Sequence, residues 1–145
     1  METILYPDQY NLLWRSSWCS LISGCYAIYT QHYSHAIPCY VVLLTSLNYW
    51  HYPVQTSWSR FLDITCVKLA LAYHLITAYS MSNAIPYYII TATGLATYQL
   101  GVELYKRDYW RASVYAHVIV HVLGNISNMI LYSSVPLSPL ITDKI

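Results

Sequence analysis

The sequence predicts an all-α, integral membrane bundle of about five transmembrane helices, and three observations predict it. Of 145 residues, 57% are hydrophobic and only 9% are charged, against roughly a quarter charged in ordinary soluble domains. The apolar stretches recur at spacings that suit crossings of about 20 residues each. Arginine, lysine and tryptophan gather in alternate connections, as expected of a chain that threads a bilayer.

The first span covers residues 16–30 and is diluted by Ser16, Ser17, Ser20, Ser23 and Gly24. After the polar patch Gln31 to Ser34, the second covers 36–50, with Pro38 near its start, where a missing N–H costs little. The third, 60–79, carries Asp63, Lys68 and His74. A short turn, Ser80 to Asn83, leads to the fourth at 85–102. Glu103, Lys106, Arg107, Asp108 and Arg111 form the most charged connection, and the fifth span follows at 112–132. Pro136 and Pro139 predict an irregular tail.

Five crossings place Arg15, Arg60, Lys106, Arg107 and Arg111 on one side of the bilayer, against Lys144 on the other. The positive-inside rule then predicts a cytosolic N-terminus and a lumenal or extracellular C-terminus. Trp14, Trp18, Trp50, Trp58 and Trp110 map to the same cytosolic boundary, where tryptophan settles at headgroup level. The 17 tyrosines suit helix ends, with the ring buried and the hydroxyl wet.

Composition also excludes. A net charge of +1 supplies no field for nucleic acid. Cys19, Cys25, Cys39 and Cys66 lie in apolar stretches without a CxxC pair, so they read as packing residues. Asn125-Ile126-Ser127 fits a glycosylation pattern but falls inside an apolar span. Glu2 and Asp8, with no basic run before the first apolar stretch, argue against a cleaved signal peptide.

Ionisable side chains inside spans are costly and call for a partner or a purpose. His117 and His121, spaced i, i+4, share one helix face and can bind one metal ion together. Ser46, His51 and Asp63 belong to the same cytosolic depth layer. Packing readings compete at each position. The histidines can bond across helices, Asp63 can pair with Arg60 at i−3 or with a basic residue of the connection before the fifth span, and His74 reads as a hydrogen-bonded histidine near mid-bilayer. His32 and His35 are expected to be solvated in the opposite loop, and Asn125 and Asn128 to favour interhelical packing.

The serine and histidine ending one helix (Ser46-Leu47-Asn48-Tyr49-Trp50-His51), the aspartate starting the next (Leu62-Asp63) and the final His117-Val118-Ile119-Val120-His121 resemble the alkaline ceramidase and adiponectin-receptor superfamily of membrane hydrolases. The resemblance implies a zinc ion held by His51, His117 and His121. It further implies that Asp63 orients or deprotonates a metal-bound water, that Ser46 lies behind the ligands, and that a lipid amide is the substrate; zinc-bound hydroxide could by its own chemistry attack a lipid ester or amide carbonyl. The family has seven spans where this chain has about five, and its Ser-x-x-x-His is here Ser-x-x-x-x-His. One extra residue rotates His51 by about 100° relative to Ser46 on a helix.

Two functions therefore stand as expectations. One is a zinc-dependent hydrolase at the cytosolic membrane boundary. The other is a noncatalytic structural or scaffolding membrane protein of an organelle or enveloped virus. Its partners would be the lipid bilayer, further copies of the chain or partner helices. A transporter is less favoured, because the sequence displays no clear relay of ionisable groups.

Overall fold

The computed structural model describes residues 3–135; the predicted irregular tail with Pro136 and Pro139 lies outside them. The described chain is helical throughout, in six segments: α1 (Pro7–Ser17), α2 (Cys19–Tyr29), α3 (Tyr33–His51), α4 (Trp58–Ala78), α5 (Ala84–Lys106) and α6 (Trp110–Tyr132).

Helix begins nine residues before the first predicted span. Pro7 occupies the first turn of α1, where its fixed φ suits a helix start, and the Gln9 side chain accepts a hydrogen bond from the Tyr6 N–H at 3.2 Å. Asp8, Gln9 and Asn11 hide this segment from an apolar pattern. Trp18 remains right-handed (φ −63, ψ −15), so α1 and α2 form one slightly broken rod. The break has a local cause: the hydroxyls of Ser16 and Ser17 both donate to the Leu13 carbonyl, at 3.0 and 2.9 Å, competing with the helical ladder.

Elsewhere the predicted spans lie inside slightly longer helices. Ser57 caps α4, its hydroxyl accepting from the Arg60 N–H at 3.2 Å. Past residue 102, α5 continues one turn on a Lys106–Glu103 ion pair of 2.8 Å. The hydrogen bond and charge of Lys106 hold the Glu103 carboxyl below its usual range. Gln31 and Asp108, at φ 63 and 62, take the left-handed conformation just past α2 and α5, which lets the chain reverse in a few residues.

The α1/α2 rod packs between α3 and α6; α4 lies along α3, and α5 along α6. Contact between α4 and α5 is sparse. The close α5–α6 pairing rests on small residues, since a Cβ at Gly101 would come within 3.3 Å of the Ala116 Cβ. Two core clusters mark the two ends of the bundle. Leu5, Leu13, Tyr49, Trp50 and Val114 pack at the charged end, near Lys106 to Arg111. Ala27, Ala36, Ala78, Met81, Tyr87 and Leu131 pack at the turn end, near Tyr79 to Asn83.

By length and composition α4 and α6 are able to cross a membrane. On α4, Asp63 and His74 are 7% and 3% exposed, whereas Leu69 and Ile76 are 65% and 75% exposed; Lys68 also lies on the exposed side. Leu44 on α3, Ile85 on α5 and Ile119 on α6 also face outward.

Candidate functional site

At the charged end, the first turns of α4 turn Asp63 toward α3. Its Oδ1 accepts hydrogen bonds from Ser46 Oγ at 2.6 Å and Thr45 Oγ1 at 3.1 Å. Ser46 and Asp63, grouped by depth in the sequence, are thus in contact; Thr45 was not foreseen. Among the described residues the one ion pair is Lys106–Glu103, so the alternative Asp63–Arg60 bridge does not form. The guanidinium of Arg60 donates instead to the Gln55 carbonyl at 3.4 Å.

On α6, His117 and His121 lie one turn apart, edge to face, with ring centroids 4.9 Å from each other. The ring of His117 also meets Trp50 at 5.2 Å and Tyr98 at 6.1 Å. Ser16 Oγ on α1 lies 2.7 Å from His121 Nδ1. In the sequence Ser16 was legible only as a residue that dilutes the first span.

His51 lies at the exposed C-terminal end of α3. The residue four positions after Ser46, where a Ser-x-x-x-His motif would put its histidine, is Trp50. It is buried against His117. The 100° rotation implied by the extra residue is therefore realised as an exchange: indole inward, imidazole outward. Tryptophan offers only an N–H donor and no metal-ligating lone pair.

Zinc needs three protein ligands and an open position for catalysis. Among the described residues no group of three or more His, Cys, Asp or Glu side chains is placed to hold a metal ion. The arrangement of His51, His117 and His121 does not fit a three-histidine zinc site.

A second polar cluster occupies the turn end. His74 Nδ1 donates to the Ala70 carbonyl at 2.7 Å, and Nε2 lies 2.6 Å from Tyr132 Oη. Tyr132 Oη also meets Cys39 Sγ at 3.1 Å. His35 Nε2 lies 3.1 Å from Thr77 Oγ1, with its ring 5.5 Å from those of both His74 and Tyr132. Contrary to the expectation of a solvated loop residue, His35 is 6% exposed, because α3 begins at Tyr33 and its first turn points His35 inward. His32 is half-buried, with Nδ1 3.0 Å from the Thr30 carbonyl.

Between the two ends, Ser23 of α2 donates to Asn125 Oδ1 of α6 at 2.6 Å, and Asn125 Nδ2 donates to the His121 carbonyl at 2.7 Å. Ser23, His35, Thr45, Ser46, Asp63 and His74 thus tie one helix to another, whereas the buried hydroxyls of Ser17 and Ser127 turn back to carbonyls of their own helix.

No family model matches the chain, and no curated protein or solved structure is found to be similar to it. Fold and interior together define a class: an all-helical protein with two segments able to cross a membrane. Within that class, its particular features are a two-histidine pair closed off by Trp50 and a histidine–tyrosine cluster at the opposite end.

Proposed function

We propose that the chain is a multi-pass integral membrane protein of five crossings with a noncatalytic, structural or scaffolding role. The observation that carries the membrane reading is the arrangement along α4, with a carboxyl and an imidazole inward and isoleucine and leucine outward. Soluble monomers rarely expose contiguous apolar surface of this kind, and a lipid-facing helix does so by default. The α1/α2 rod of residues 7–29 supports a first crossing, because at 1.5 Å per residue it extends about 34 Å, longer than a hydrocarbon core of about 30 Å. The basic connections support an orientation with the N-terminus in the cytosol and the C-terminus in a lumen or outside. Lipid, further copies of the chain or partner helices would meet the apolar exterior.

The noncatalytic reading rests on Trp50. A hydrolase of lipid amides or esters would need a third ligand beside His117 and His121, and the indole stands in that position.

Elemental analysis of tag-free protein, purified in mild detergent after zinc-replete expression, separates the two. Wild type is expected to hold no stoichiometric zinc, whereas Trp50→His gains it by completing the ligand set. Stoichiometric zinc in wild type, lost in both His117→Ala and His121→Ala, would overturn the noncatalytic reading in favour of the hydrolase. Resistance of the chain to alkaline carbonate extraction tests the membrane reading on its own.

A further inference from the structure

At the charged end, the first turn of α1 and the α5–α6 connection border an open cavity of about 640 Å³, whose lining includes Tyr6, Asp8, Asp108, Trp110 and Arg111. That volume is typical of a small-molecule site. Backbone hydrogen bonds set both walls. On one side Ile4 N–H donates to the Pro53 carbonyl at 3.0 Å and Tyr10 N–H to the Tyr6 carbonyl at 3.1 Å. On the other, Asp108 N–H donates to the Tyr105 carbonyl at 3.1 Å and Tyr109 N–H to the Leu104 carbonyl at 3.0 Å.

The cavity brings charges of both signs together without pairing them. Asp8, Asp108 and Arg111 are exposed, and none of them belongs to the one ion pair among the described residues, Lys106–Glu103. A simple anion placed here meets two carboxylates, and a simple cation leaves the guanidinium unanswered. A ligand carrying both charges answers all three.

Each pole of such a ligand has its own partners. The rings of Tyr6 and Trp110 lie 5.8 Å apart, tilted by 43°, so a cation in the cavity can sit within about 6 Å of both centroids, the range of cation–π attraction. Aromatic faces favour a quaternary ammonium, which has no N–H to satisfy. For the anionic pole, the Tyr109 carbonyl opens the ladder of α6 by accepting from Ser113 N–H at 3.0 Å. The amides of Trp110, Arg111 and Ala112 therefore belong to the first turn and have no acceptor within the helix. Together with the Arg111 guanidinium they suit a phosphate oxygen.

We propose that this cavity binds the phosphocholine headgroup of a membrane lipid, with the phosphate at Arg111 and the first turn of α6, and the quaternary ammonium among Tyr6, Trp110, Asp8 and Asp108. The inference rests on the membrane-spanning reading above and deepens it by naming the lipid chemistry that the charged end recognises. Tyrosine and tryptophan settle at headgroup level, which is where a bilayer lipid presents this group.

The test titrates the full chain, in a maltoside detergent, with dihexanoyl phospholipids bearing choline, ethanolamine or glycerol headgroups, and counts bound lipid by native mass spectrometry. Wild type is expected to take one choline lipid about tenfold more tightly than the glycerol lipid, which brings no cation. The double variant Asp8→Asn with Asp108→Asn should lose that preference, Arg111→Gln should weaken both lipids, and Trp110→Ala should bind choline and ethanolamine lipids alike. Free phosphocholine should displace the choline lipid, whereas inorganic phosphate at the same concentration should not. Equal affinity of wild type for the three headgroups, or a choline preference that survives in the aspartate double variant, overturns the proposal. If Trp110→Ala does not fold, the aspartate variant, altered at two exposed positions, decides it. Flotation with phosphatidylcholine vesicles reads the membrane reading separately. A chain that binds phosphocholine but does not float overturns the lipid as its source, while a chain that floats without headgroup preference overturns the site alone.

Discussion

The two ends of the bundle treat polar side chains differently. At the charged end they pair off: Asp63 with two hydroxyls of α3, His121 with Ser16 of α1. At the turn end they share a hub, because Tyr132 Oη serves both His74 and Cys39 while His35 packs against the ring. Losing one partner of a pair weakens one joint between helices. Losing the hub loosens α3, α4 and α6 at once. The end bearing the recognisable motif is thus the simpler of the two.

The largest expected effect tests whether the charged end tolerates any loosening. Gly101→Leu drives a side chain into Ala116 across the α5–α6 contact and should destabilise the bundle by about 3 kcal/mol, read as a drop in thermal midpoint in detergent. A midpoint equal to wild type would mean that α5 and α6 are free to separate.

The hub itself comes next. Tyr132→Phe leaves His74 Nε2 and the Cys39 thiol without their phenol and should cost about 2 kcal/mol, whereas Ser46→Ala, which leaves Thr45 on Asp63, should cost about 1 kcal/mol or less. Equal losses would remove the distinction between hub and pairs. Smallest is His51→Ala, expected to change stability by less than about 0.5 kcal/mol because His51 is exposed. A large loss there would show that His51 engages the charged end after all.

Much of the helix layout was legible, because the long apolar runs are bounded by polar, charged or proline-containing connections that end helices. The segment α1 was not, since Asp8, Gln9 and Asn11 break the apolar pattern and its helix depends on Pro7 and on packing of Leu13. Within the candidate site, the contact between Ser46 and Asp63 followed from shared depth. The turning away of His51 runs against its expected place among the ligands: the extra residue after Ser46 rotates it off that face. Ser16, Ser23 and Thr45 were not legible as partners, because which hydroxyl meets which acceptor depends on how neighbouring helices are rotated, and no local pattern records that. His35 was misassigned for a related reason: a run of polar residues looks like loop, while the helix start at Tyr33 puts one of them in the core.

The position of the α1/α2 rod has a consequence for biogenesis. Its polar bonds go to the last helix, Ser16 to His121 and Ser23 to Asn125, more than a hundred residues later in the chain. On the membrane-spanning reading proposed above, a ribosome synthesising this protein delivers the rod to the membrane long before its partners exist. Until α6 emerges, the serine face of the rod has to be sheltered by the insertion machinery, by water at the interface or by another copy. Completion of synthesis, rather than insertion of the first segment, is then the event that closes the bundle.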